Sequence, residues 1–216
     1  MQIKTFLLPL LCLALSLSGC SEPKPPTINL YRAVHIGDID QIERNLFWDA
    51  KVNQPGPDGL TALHVAAKKG DLVVVKMLLK HGADIDASDR DGYSPLQTAL
   101  LARNSLVAGY LVKQNARLDA NAILREAVRL GQADRDVIDF LAKQGAELDS
   151  PDEQGNTPLH IAILNGHRVN AKYLVEKGAD IDLADRSGRT PLELAIERGE
   201  ADIERMLRQF GASSKP

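Results

Sequence analysis

Cysteine is nearly absent from this chain. Of 216 residues only Cys12 and Cys20 are cysteines, and none follows position 20. That excludes a disulfide framework, a cysteine nucleophile and a thiolate zinc site from the body of the protein. Aromatic side chains are scarce too, at 4%, so the core must be built from aliphatic and alanine packing, which suits stacked helices better than a sandwich or barrel. Neither sign of charge dominates. With 26 basic and 29 acidic side chains the formal charge is −3, which leaves no footprint for a nucleic-acid partner. No glycine-rich phosphate loop, nucleophile elbow or HExxH segment occurs. The five histidines (His35, His64, His81, His160, His167) include no pair at i, i+4, so neither a helix-borne metal pair nor a cofactor is expected. What is present, 44% apolar and 25% charged, is the composition of an ordinary globular domain.

One long apolar run exists, Phe6 to Leu17, behind Lys4 and broken only by Ser16. A bilayer span needs about 20 residues, so this run reads as a secretory signal. The segment after it, Leu17-Ser18-Gly19-Cys20, resembles the bacterial lipobox. The resemblance implies cleavage between Gly19 and Cys20, loss of residues 1–19, and acyl chains on Cys20. Two or more chains make such an anchor effectively permanent. Ser21 stands where the inner-membrane retention signal of that family would place Asp, which favours the periplasmic side of the outer membrane. Residues 20–27 would then be the acylated cysteine and a proline-rich tether (SEPKPPT), expected to stay extended and unpacked.

The rest of the chain is one unit repeated six times. Leu30, Leu63, Leu96, Leu124, Leu159 and Leu192 recur at spacings of 33, 33, 28, 35 and 33, and each is followed three residues later by alanine. Gly-Ala recurs at Gly82, Gly145, Gly178 and Gly211, with Asp49 and Asn115 in the same slot of the other two units. These are residue types that tolerate a left-handed helix end. Each unit therefore reads as two short antiparallel helices and an extended turn. Thr61 is a predicted N-cap, and Pro95, Pro158 and Pro191 follow Ser94, Thr157 and Thr190, pairing a capping hydroxyl with the one helical position that needs no N–H. No unit can bury its apolar face alone, so the units must stack.

These residues resemble the ankyrin-repeat family. Its TPLH motif stands as Thr157-Pro158-Leu159-His160, nearly intact as Thr61-Ala62-Leu63-His64, and begins again as Thr190-Pro191-Leu192. Its D-x-x-G turn stands at Asp89–Gly92, Asp152–Gly155 and Asp185–Gly188. The resemblance implies an all-α solenoid of about six units joined by extended hairpin turns, at roughly 28–55, 56–88, 89–121, 122–151, 152–184 and 185–216. It also implies that His64 and His160 bridge the turns of adjacent units. Unit four departs: it reads Ala122-Ile123 where cap and proline should be, its preceding turn is short, and it carries extra residues around Gln132–Asp136. A distorted joint between units three and four is expected.

In that family, contacts come from the turn tips and the exposed side of each first helix. Here the turn-tip slots hold Asp58, Leu60, Arg90, Asp91, Tyr93, Glu153, Asn156, Arg186 and Arg189. The first-helix slots hold Lys68, Lys69, Leu101, Arg129, Leu164, Asn165, Glu197 and Arg198. Seven of the seventeen are basic and four acidic, which reads as a basic groove with Tyr93, Leu101 and Arg90 as an anchor. The expectation is a monomeric, non-catalytic module that binds a protein partner, as scaffold, helper or inhibitor. The alternative is a small-ligand, anion or enzymatic site at the irregular joint, drawn by Arg103, Arg125, Arg129 and Arg135. Phe47-Trp48 has two readings: rings that cover the exposed end of the stack, or a sticky patch near the tether for a partner or the lipid surface.

Overall fold

Every second helix ends on a residue with positive φ at the phase the repeat marks, whether glycine or not: Asp49 (55°), Gly82, Asn115 (65°), Gly145, Gly178 and Gly211. The computed structural model describes residues 22–213. Within them lie twelve α-helices and no strand: α1 (Leu30–Ile36), α2 (Ile39–Phe47), α3 (Ala62–Lys69), α4 (Leu72–Lys80), α5 (Pro95–Leu101), α6 (Ser105–Lys113), α7 (Ala120–Arg129), α8 (Arg135–Lys143), α9 (Pro158–Leu164), α10 (Arg168–Glu176), α11 (Pro191–Arg198) and α12 (Ala201–Gln209). None is long and apolar enough to cross a membrane. Cys20 and the lipobox lie outside the described residues.

The helix starts follow from local chemistry. Thr61, Ser94, Thr157 and Thr190 each accept a hydrogen bond from the backbone three residues on, and His64, Gln97, His160 and Glu193 return one to the cap, closing four capping boxes. The recurrent leucines and alanines all fall in one buried core. First helices pack on first helices and second on second, so the core is a continuous sheet of side chains between two layers.

Four of the turns share one construction. The N–H of Asp89 donates to the carbonyl of Tyr93, that of Asp152 to Asn156, that of Asp185 to Arg189, and that of Gly56 to Leu60. In the three aspartate turns the carboxylate accepts two further backbone N–H groups, which is why the pattern needs Asp at its first position. Ahead of unit four there is no such turn, and α5 and α7 pack over a smaller patch than the other neighbouring first helices. The joint is therefore real, but its cause corrects the sequence reading. Unit four does not lack a cap: Asp119 accepts from the Ala122 N–H at 2.9 Å and starts α7 early, giving a ten-residue helix where the other first helices have seven or eight. Helix replaces the missing turn.

The described part of the proline-rich segment, residues 22–27, is exposed except at the half-buried Pro26, yet hydrogen bonds fasten it to unit one. Thr27 N–H donates to Gln41 Oε1 at 2.8 Å, Asn45 donates to the Ile28 carbonyl at 2.8 Å, and the Trp48 indole N–H donates to the Pro23 carbonyl at 3.1 Å. Two of these bonds, at Pro23 and Thr27, hold the proline-rich segment, which composition alone does not register.

Candidate functional site

The turn tips and the outward sides of α3, α5, α7, α9 and α11 make up the face on which the family resemblance places the contacts. One recess in it, about 430 Å³, lies between the turns of units two and three and the ends of α5 and α7. Leu60, Leu101, Ala102 and Leu130 supply apolar wall, with Lys68, Asp58 and Asp91 at the rim. Gln132 lines it as well, and its Oε1 is buried without a hydrogen-bond partner.

Tyr93 closes one side. Its hydroxyl donates to Glu126 of α7, and Arg129 holds the same carboxylate through two bonds of 2.6 and 2.8 Å. Arg129 and then Tyr93 hold Glu126 below the usual carboxylate range despite partial burial, while Glu126 and burial push the Tyr93 phenol up. This cluster clamps unit three to unit four across the thin joint.

Several expected groove contacts turn out to be internal. Asn156 is buried and donates to Asp152 at 3.1 Å, so it braces its own turn. Arg189 lies between Asp185 (2.7 Å) and Glu197 (3.2 Å). Burial raises the Asp185 carboxyl, but hydrogen bonds from Arg189 and Ser187 outweigh it and hold the group low. Lys69 donates to the carbonyls of His35 (2.8 Å) and Val34 (3.4 Å) at the end of α1. Lys69 belongs to a pattern the sequence reading missed: Asn104 does the same to Ala67 and Lys68 at the end of α3, and His167 to Arg129 at the end of α7. A side chain of one unit satisfies the orphan carbonyls of the previous first helix. Gly70 shows the closeness required, since a Cβ there would lie 2.7 Å from Asn104 Oδ1.

The basic character of the face shrinks accordingly. Lys68, Arg90, Arg186 and Arg198 remain exposed, with the stems of Arg90 and Arg186 laid over Gly59 and Gly155 of the preceding turns. Leu164 is half-buried and Asn165 exposed, both at the end of α9. Leu60, Tyr93 and Leu101 come together with Lys68 and Asp91; Asn165, Arg186 and Arg198 lie farther along the face.

The four arginines of the joint do not converge. Arg103 pairs with Asp134 (3.5 Å), Arg125 donates to Ser150 Oγ (3.0 Å), Arg129 pairs with Glu126, and Arg135 pairs with Glu176 (2.7 Å). Among the described residues no group of three or more His, Cys, Asp or Glu is arranged to hold a metal ion. His64 and His160 are buried and bridge to the next turn. Phe47 and Trp48 meet edge to face at 5.7 Å and stay 55% and 45% exposed, so they do not seal the end of the stack.

A family profile for ankyrin repeats (three copies) matches residues 30–122 and again 124–215, breaking at the same joint. The Notch-regulated ankyrin repeat-containing protein of Homo sapiens is 38% identical over 78 residues, 34% of this chain and 68% of that one. A Caenorhabditis elegans homolog of the transient receptor potential cation channel subfamily A member 1 is 26% identical over 148 residues, 66% of this chain but 12% of its own. Among solved structures, the human ASB11 ankyrin repeat domain superposes with a TM-score of 0.69 at 25% identity, covering 87% of this chain and 85% of its own. The ankyrin repeat domain of Bcl-3 does so at 0.68 and 26%, covering 88% and 89%. Proteins of this kind typically mediate protein–protein interaction and are typically non-enzymatic scaffolds. With twelve helices in six stacked pairs and the repeat profile spanning nearly all of them, the chain belongs to the ankyrin-repeat family.

Proposed function

We propose that this chain is a lipid-anchored, non-catalytic binding module of a bacterial cell envelope. Cys20, acylated after cleavage behind Gly19, holds the stack on the periplasmic side, with Ser21 favouring the outer membrane. The concave face takes a protein partner. The observation that carries the binding half is the recess at the joint. It combines an apolar wall of Leu101, Ala102 and Leu130 with exposed rim charges. That arrangement fits an apolar anchor side chain. The anchor half rests on the lipobox resemblance.

Capture is the mechanism. A preformed stack avoids the ordering cost of a flexible binder, and membrane confinement raises the effective concentration of a modest-affinity partner. The test is crosslinking in intact cells with wild type, Leu130→Asp in the recess, and Lys113→Glu at the exposed end of α6. Wild type and Lys113→Glu should recover the same protein, and Leu130→Asp should recover at least about tenfold less, the loss expected when one well-packed anchor is removed. Equal recovery by Leu130→Asp removes the recess from the reading. A partner enzyme whose activity is abolished on one-to-one binding marks an inhibitor; preserved or raised activity marks a helper.

A further inference from the structure

Phe47 and Trp48 lie beside the point where the chain leaves the described domain toward Cys20. The Trp48 indole N–H holds the Pro23 carbonyl at 3.1 Å, and Gln41 and Asn45 fasten Thr27 and Ile28 to the same helix pair. Only three peptide units separate Pro23 from Cys20, so the two Cα atoms are at most about 11 Å apart. The segment that composition marks as a spacer therefore holds an anchor at Cys20 close to the end of α2. At that end the two rings are roughly half exposed. The outward side of α2 next to them carries Asp40 and Glu43, both exposed, and the other exposed apolar side chains of unit one, Ile36 and Ile39, stand at the opposite end of α2. Two ring edges fall far short of the roughly 1,200 Å² that a specific protein interface buries. Lys24 and Lys51, both exposed, stand near them in the chain, together with the exposed Glu22 and Asp49. An amphipathic indole and a phenyl ring with lysines alongside is the chemistry that seats at a phospholipid headgroup boundary.

We propose that Phe47 and Trp48 form a lipid-contact corner that seats unit one directly on the membrane. The domain is then held against the surface in a defined orientation, with the rest of the stack extending from it, and does not swing on a free tether. This inference rests on the reading of Cys20 as an acylated anchor.

The test uses the full-length acylated protein in vesicles of phosphatidylethanolamine and phosphatidylglycerol. Trp48 is the sole tryptophan and serves as its own reporter. Its emission should shift to the blue relative to the soluble chain beginning at Ser21, and phospholipids brominated high on their acyl chains should remove most of its intensity. Inserting a long Gly-Ser segment after Ser21 should weaken both effects by letting the domain leave the surface. The mass of the mature chain separates the two failures. An acylated Cys20 with Trp48 unshifted and unquenched overturns the lipid contact and leaves the anchor standing, whereas an unacylated Cys20 overturns the anchor and this contact with it. A blue shift that depends on protein concentration and ignores the brominated lipid means another protein covers the rings, which also overturns the contact.

Discussion

His160 Nε2 donates to the backbone carbonyl of Arg189, 29 residues later, at 3.1 Å, and His64 makes the same bond to Tyr93 at 3.0 Å across the same sequence interval. In both, Nδ1 accepts from the N–H of the capping threonine, which assigns the neutral Nε2–H tautomer. One imidazole thus closes its own helix start and ties it to the next turn.

That geometry makes stability depend on pH. Burial pushes His160 below its usual 6.5, so the folded state resists protonation. The unfolded chain binds the proton first, and its share of stability is complete above about 6.5 and is lost as pH falls below it toward the folded value. Urea midpoints of wild type should fall with pH in that window, and His160→Gln should flatten the dependence. An equal slope in the variant would assign the effect to other groups.

Asn104 reaches back to the last carbonyls of α3, so Asn104→Ala should cost about 0.5–1.5 kcal/mol, the net range for hydrogen bonds to acceptors that are only partly buried. Lys69→Glu should destabilise for the same reason at α1. Lys68→Glu, one residue away and free of this duty, should stay within about 0.5 kcal/mol of wild type. Chemical denaturation of the three variants checks the order. Charge reversal at Lys69 is therefore a poor probe of binding.

Asp119 is the cap that unit four was expected to lack. Asp119→Ala should cost about 1 kcal/mol, and hydrogen exchange should quicken first at Ala122, whose amide it accepts. A uniform loss of protection across all units would show instead that the thin joint does not unfold separately.

Tyr93 titrates high because of Glu126. Glu126→Gln removes the charge, so the Tyr93 phenol should ionise at lower pH, read by NMR of labelled tyrosine rings. Tyr31, pushed up to about 12 by burial and its bond to Asp58, is the internal control and should not move. An unchanged Tyr93 would mean the clamp does not persist in solution.

The site was legible where it depends on spacing and illegible where it depends on reach. Thr61, Thr157 and Thr190 cap as their position requires, because a capping bond spans only three residues. Lys69, Asn156 and Arg189 read as exposed binding residues; Asn156 and Arg189 are held by the aspartates of their own turns four residues earlier, and Lys69 by a partner that no local pattern reveals. Lys69 bonds to carbonyls 34 and 35 residues earlier. Leu130 stands in the slot that Lys69, Asn165 and Arg198 fill in other units and was passed over, whereas Gln132 lies in the extra residues of unit four, outside any repeat slot.

The sequence by itself determined the repeat, the two-helix unit, the left-handed helix ends and the stack, since all are written in short-range periodicity and in apolar faces that one unit cannot bury alone. Tertiary structure decided which basic groups stay free, how α7 replaces a missing turn, and that the N-terminal segment packs on unit one. Where those outcomes rest on contacts between units, as for Lys69, Asn104 and His167, side chains meet carbonyls about 34 to 38 residues earlier, and only the stacked arrangement brings such groups within hydrogen-bonding distance.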